Sequence, residues 1–231
     1  MSRGMSDERK LKAGRGKGKG KYYRPWIYCR DLMSYGLRSK LVDWKHGRSL
    51  QLMSDGERSF YITLRWNDTV EDIREQYPLR LEDTLRIAKE LKIRHPMKDG
   101  KPVIMTTDFY VTMTNGSYRA YAFKDDREAF DPEYCTEDNK KKKAKRTAEK
   151  LLIEKVYWET QGIKWTLVLK EHLDTNYVDN ISRVVEYYND PPHDRISCIK
   201  KMIAHKEIEV DMRGKLLDFA ALADRYLGKE E

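Results

Sequence analysis

The sequence predicts a mixed α/β domain, helices packed on a small sheet, followed by a short all-helical region. Three observations predict it. Asn115-Gly116 separates two β-rich runs, Phe109 to Thr112 and Tyr118 to Phe123, which is the strongest short-range hairpin signal a sequence offers. From Lys140 to about Thr160, Ala144, Ala148, Leu151, Leu152 and Val156 recur at helical spacing, and Gln161-Gly162 stops the run. The segment 163–169, IKWTLVL, then reads as a buried strand. Strand, hairpin, helix and strand in this order belong to a mixed sheet covered by helices.

The elements follow in order. Residues 1–24 hold nine Lys/Arg against Asp7 and Glu8, so +7 of the net charge of +8 lies there. Within them GRGKGKGK (14–21) is glycine-rich and basic and predicts an unstructured arm over 1–21. Its Arg15, Lys17, Lys19 and Lys21 suit contact with phosphate backbones through counterion release, or else simply a solvated tail. From Tyr22 the chain turns aromatic and extended, and Pro25 argues against helix. Lys40 to Trp44 and Ser49 to Met53 flank a second hairpin turn at 45–48. Ser54 followed by Glu57 is a capping box, and Glu57, Phe60, Tyr61 and Leu64 share one face of the helix it opens. A glutamate on an apolar face has two readings, a cap or a metal ligand reaching toward a sheet. Val70 to Tyr77 predicts a strand ending at Pro78-Leu79, and Leu81 to Ile93 a short amphipathic helix. Beyond Lys170, the stripes Tyr177 to Tyr188, Ile196 to Ile203 and Leu216 to Leu227 predict three short helices.

Composition narrows the class. At 231 residues the chain holds one medium domain and a small one, by the usual prior of about 100–200 residues each. Cys29, Cys135 and Cys198 are odd in number and far apart, matching neither a disulfide framework nor a zinc site, which suggests a reducing compartment. No apolar run reaches the length of about 18 residues that a membrane span needs, and the N-terminal residues lack the apolar core of a signal peptide, so secretion is not expected. A cytoplasmic protein is expected.

The central hairpin carries chemistry. Asp108 starts its first strand; Lys124 and Asp126 close the second, and strand alternation would point both the same way. Acids and a lysine on adjacent strands are the layout of a metal-dependent phosphodiesterase site. The carboxylates hold Mg²⁺ and the ammonium offsets charge on the attacked phosphate. The register decides whether the layout is real. A two-residue loop sets Asp108 opposite Phe123, away from Lys124. A three-residue loop, Thr114-Asn115-Gly116 with Gly116 left-handed, sets Asp108 opposite Ala122, on the face of Lys124.

Several blocks together resemble one family. GRGKGKGKYYRPWI, LMSDGERSFYITLRW, VEDIREQYPL, KIRHP, MTTDFYV and EKVYWETQGIKW look like TnsA, the endonuclease subunit of heteromeric cut-and-paste transposases. The resemblance implies a restriction-endonuclease-like, PD-(D/E)-x-K catalytic domain over 22–169, with a winged-helix-like but shortened helical domain over 170–231. It implies Mg²⁺-dependent cleavage (with Mn²⁺ tolerated) at the 5′ ends of a transposon. The implied partners are double-stranded transposon-end DNA, a TnsB-type transposase and a TnsC-type ATPase. The family's helix glutamate falls on Glu57 and its strand aspartate on Asp108. Where the family reads Gln-x-Lys this chain reads Lys124-Asp125-Asp126, so Glu57, Asp108 and Asp126 are the expected metal ligands and Lys124 the catalytic lysine, the last two having exchanged places. The altered order also leaves open a nuclease fold without activity, kept as a scaffold for transposase and ATPase.

Overall fold

The computed structural model describes residues 5–31 and 41–228. Residues 1–4 of the expected arm, Lys40 of the expected second hairpin and the last three of the C-terminal region lie outside them. Among the described residues no helix is long and apolar enough to cross a membrane.

The core is a four-stranded sheet in the order β1-β4-β5-β6, where β1 is Val70–Pro78, β4 Thr106–Met113, β5 Tyr118–Lys124 and β6 Lys164–Leu169. A two-residue ribbon, β2 (Met97–Lys98) with β3 (Lys101–Pro102), lies in the connection before β4. β1, β4 and β5 are antiparallel, and β6 adds parallel to β5. The β5-to-β6 connection contains α4 (Asp138–Glu159), the long helix expected from the apolar stripe. β6 is an edge strand, buried only at Val168 and Leu169 rather than along its length.

Alternation along the strands makes two cores. Phe109, Val111 and Phe123 face one way and meet α2 (Asp55–Trp66), whose Phe60 ring packs edge-on against Phe109 and Tyr121 and stacks over Phe123. Tyr110 and Ala120 face the other way, with Trp158 of α4 stacked on Tyr110 at 4.7 Å and with Ile87 of α3 (Leu81–Glu90) in the same core. Aromatic pairs of this kind add about 0.5–1.5 kcal/mol each beyond their buried area.

The three C-terminal helices form where the stripes predict them, at α5 (Thr175–Val185), α6 (Arg195–Ala204) and α7 (Phe219–Leu227). Asp174, Asp194 and Asp218 cap their N-termini, each cap worth about 1 kcal/mol. Val178, Ile181, Val184, Ile199, Ile203 and Phe219 share one hydrophobic core with α2 and the sheet. Residues 170–228 therefore pack as a layer on the sheet domain.

Two expectations are corrected. The second hairpin is shorter than expected, a single bridge Val42↔Ser49 between the backbone bonds Leu50 N–H to Leu41 O and Asp43 N–H to Arg48 O, with side chains bracing its base. Arg48 forks onto the buried Glu75 at 2.6 Å through both guanidinium nitrogens, and Arg65 pairs with Asp43 at 2.9 Å. Glu75 also accepts from Gln51 N–H, which fixes the chain just before α2. The basic segment is also not a bare arm. Ser6 caps a helix, α1 (Asp7–Lys12), and the glycines after it fold back onto β1. A Cβ on Gly16 would stand 2.4 Å from the Pro78 ring, and Gly20 N–H donates to Asp72. Glycine is the residue that permits this approach at positive φ.

Candidate functional site

The hairpin decides the site. Every β4–β5 pair from Phe109↔Tyr121 to Thr112↔Tyr118 follows the register of a three-residue loop. Gly116 has φ +79°, its N–H donates to Met113 O, and Met113 N–H donates to Ser117 O. This is the turn-plus-bulge geometry, and it brings the start of β4 to the end of β5 with Asp108 beside Lys124. Asp108 Oδ2 accepts from Phe123 N–H at 2.8 Å and lies 3.7 Å from Lys124 Nζ. The Lys124 ammonium also donates to the Phe123 carbonyl at 2.6 Å. Opposite Asp108 on β1, between the pairs Glu75↔Phe109 and Tyr77↔Thr107, the buried Gln76 takes φ +49°, an uncommon backbone for a non-glycine residue.

Glu57 arrives from the other side of the sheet edge. Ser54 Oγ accepts from Glu57 N–H at 3.0 Å, and Glu57 Oε2 accepts from Met53 N–H at 2.8 Å, so the cap and the site use the same side chain. Close approach of α2 to β5 depends on Gly56. A Cβ there would stand 2.2 Å from the Phe123 ring and 2.8 Å from Asp125 Oδ1. Glu57 is only 7% exposed, and burial, followed by the Asp108 charge, pushes its carboxyl up to about 8.

Glu154 of α4 completes the cluster, and sequence reasoning missed it. Its Oε1 accepts from Trp165 Nε1–H at 3.0 Å and from the Thr107 hydroxyl. Burial and then the Asp108 charge push its carboxyl up to about 7. The signal was present: Glu154 shares a helical face with Leu151, Tyr157 and Trp158, all buried. An acid on a buried face needs partners. Asp125 is a second missed acid, exposed at the N-terminus of α2, where its charge also acts on Glu57.

Asp126 is not brought into this cluster. β5 and its pairing with β6 end together at Lys124↔Leu169, so strand alternation no longer governs Asp126. Its side chain instead caps the short turn Arg127–Ala129, accepting from Ala129 N–H at 2.9 Å, and the residue is exposed. Arg15 is likewise displaced from its expected role. It is 4% exposed, ion-paired with Asp31, hydrogen-bonded to Trp26 O and packed over the Tyr28 ring, so it is unavailable to DNA. Lys17, Lys19 and Lys21 are exposed.

The donor set fits a hard divalent cation. Mg²⁺ takes one or two carboxylates and completes its shell with waters and phosphate oxygens. Glu57 and Asp108 are the carboxylates that could serve it, and Lys124 is the cation placed against Asp108. Among the described residues no three Asp, Glu, His or Cys side chains converge on one metal position.

A mixed sheet covered by helices on both faces, with acids and one lysine drawn to the edge where β5 and β6 end, defines the class: an α/β domain with a polar cluster at one end of its sheet. Residues 67–170 match the family model described as TnsA-like endonuclease N terminal, which takes in Asp108, Lys124 and Glu154 and begins after Glu57. The chain is 34% identical over 173 residues to the transposon Tn7 transposition protein TnsA of Escherichia coli, across 75% of this chain and 59% of that relative. The chain belongs to the TnsA family. It spans a little under two thirds of the length of that relative.

Proposed function

We propose that the chain is a Mg²⁺-dependent DNA endonuclease that hydrolyses phosphodiester bonds at the 5′ ends of a transposon during cut-and-paste transposition. It acts with a TnsB-type transposase and a TnsC-type ATPase. The observation that carries the reading is Lys124 Nζ at 3.7 Å from Asp108 Oδ2 beside the buried Glu57. Family membership supports it independently.

Glu57 and Asp108 would hold the Mg²⁺ (Mn²⁺ also serving), which when bound supplies a Lewis acid for the phosphoryl oxygen and lowers the pKa of a bound water. Lys124 is held by Asp108 and the Phe123 carbonyl, so its ammonium waits where charge builds on the attacked phosphate. Glu154 anchors Thr107 and Trp165 behind Asp108, and its charge attracts Lys124. Met53 N–H orients the Glu57 carboxyl from within the cap. Lys17, Lys19 and Lys21 stand ready as sequence-independent backbone contacts.

The test is nicking of transposon-end DNA by the chain together with its transposase partner, with and without Mg²⁺. Cutting should require Mg²⁺ and disappear in Asp108→Ala. Cutting that survives both the chelator and the substitution would refute the assignment.

A further inference from the structure

Helix α4 carries a cationic face that the proposed chemistry leaves unused. Lys142, Arg146, Lys150 and Glu154 are spaced four residues apart, hence on one face, with about 6 Å of helix rise between neighbours. Three cations thus lead along the helix to the acid behind Asp108. Arg146 and Lys150 also line a cavity of about 190 Å³ with Arg94, Pro96 and Met97, from the connection after α3. At about 30 Å³ per water this is room for about six waters, well below the roughly 300–1,000 Å³ of small-molecule sites. A single phosphate group fits inside it with waters around it.

The charge around the cavity is unbalanced. Arg146 pairs with Glu149 at 2.7 Å, whereas among the described residues neither Arg94 nor Lys150 has a carboxylate partner. Lys150 is exposed along its length, yet its ammonium is pushed down, first by partial desolvation and then by Arg146 and Lys124. His95 adds no counter-charge. It is held between Thr84 Oγ1 and Pro96 O, and burial, helped by Arg146, lowers its pKa. Like charges gathered at a concavity are what an anion would relieve, and a guanidinium fork suits phosphate oxygens. Lys150 stands one turn of α4 before Glu154, which is bonded to Thr107 next to Asp108, and this links the cavity to the cluster.

We propose that Arg94, Arg146 and Lys150 form a receptor for one backbone phosphate of the DNA strand being cut, close along that strand to the phosphate attacked beside Lys124. The receptor rests on the reading of the chain as a DNA-cutting enzyme, and it adds the group that fixes the strand's position.

The experiment measures binding of the full chain to a fluorescent random-sequence duplex without divalent metal, as a function of salt. The variants are wild type, the triple Arg94→Ala/Arg146→Ala/Lys150→Ala and the single Arg94→Ala, with Lys215→Ala as an exposed control on the C-terminal layer. With one phosphate no longer neutralised, the slope of log K against log salt should become shallower by about 0.9 in the triple variant. Affinity should fall roughly tenfold, as removing one hydrogen bond to a charged group does. Arg94→Ala should move both in the same direction, Lys215→Ala neither. A wild-type slope in both pocket variants, an equal effect of Lys215→Ala, or no DNA binding by the wild-type chain would overturn the receptor. Asp108-dependent cutting with unaltered binding by the pocket variants would sink the receptor alone. Pocket-dependent binding by a chain that never cuts, even with its partner and Mg²⁺, would sink the nuclease reading and leave the receptor standing.

Discussion

Glu57→Gln separates what the cluster costs the fold from what it contributes to metal binding. The glutamate is buried against the Asp108 charge, which holds its carboxyl at about 8 rather than the ordinary 4.5. Between those values the folded chain binds more protons than the unfolded one. The contribution of Glu57 to stability is therefore fully present below about pH 4.5 and is lost as pH rises through about 8. At about 1.4 kcal/mol per pKa step, the ceiling for that loss is roughly 5 kcal/mol. Local rearrangement relieves buried charge, so a loss on the order of 2 kcal/mol is expected. The amide of Gln keeps a carbonyl for Met53 N–H and has no charge to lose.

Urea unfolding at pH 5 and pH 8.5, in chelator and in excess Mg²⁺, reads the effect. In chelator the two proteins should match at pH 5, and Glu57→Gln should be the more stable by about 2 kcal/mol at pH 8.5. Mg²⁺ should stabilise wild type at pH 8.5, by about 2.7 kcal/mol at a hundredfold excess over Kd, and should leave Glu57→Gln nearly unchanged. Equal pH profiles for the two proteins in chelator would show that Glu57 is not held uncharged by burial and Asp108, and the reasoning would fail.

Lys124→Ala should lower Mg²⁺-dependent cutting at least about 10²-fold, as removal of one well-placed transition-state contact does, with urea unfolding little changed. Asp126→Ala should leave cutting within a few-fold of wild type and cost about 1 kcal/mol of stability, the value of a lost cap, read by the shift in urea midpoint. Arg15→Ala should destabilise by about 3 kcal/mol, because it breaks a buried pair, and leave the salt slope of DNA binding unchanged. Replacing Lys17, Lys19 and Lys21 together by Ala should make that slope shallower by up to about 2.7, or 0.9 for each phosphate left unneutralised.

What was legible in the sequence is what local chemistry fixes. Gly116 after Asn115 allows the left-handed residue of a three-residue loop, and Ser54 three residues before Glu57 defines a cap; both are formed. The helical stripes of α4, α5 and α6 needed only their own period. Choosing between the two hairpin registers was beyond the local signal, because either loop satisfies Asn-Gly and only pairing along the whole ladder selects one. The end of β5 is nonlocal for the same reason, since it is set by where β6 stops, some forty residues on. Composition misled at GRGKGKGK, where few apolar groups and many charges suggested a bare arm. The contacts there are made by backbone and by Arg15, which apolar counting does not register. The C-terminal helices were legible as helices, but their packing on α2 depends on faces whose partners lie more than a hundred residues away.

The departure from Gln-x-Lys takes a different meaning from this geometry. An exchange of Lys124 and Asp126 would require both side chains on one strand face, and only Lys124 is still on the strand. The lysine is at the last paired residue of β5, where the register that sets Asp108 opposite Ala122 also sets the ammonium 3.7 Å from Asp108. A four-carbon stem tolerates a shift of origin along the strand, so the position of the ammonium is fixed by Asp108 and the Phe123 carbonyl more than by the sequence slot it grows from. A carboxylate stem is shorter and does not reach back in that way. Asp126 therefore serves the turn that follows it, and the acids near Lys124 come from three other elements: Glu57 from a helix cap, Asp108 from the hairpin and Glu154 from the connecting helix. Glu57 and Glu154 lie far apart in the chain, yet burial and then the charge of the same Asp108 push both carboxyls up, a relation that no short motif encodes.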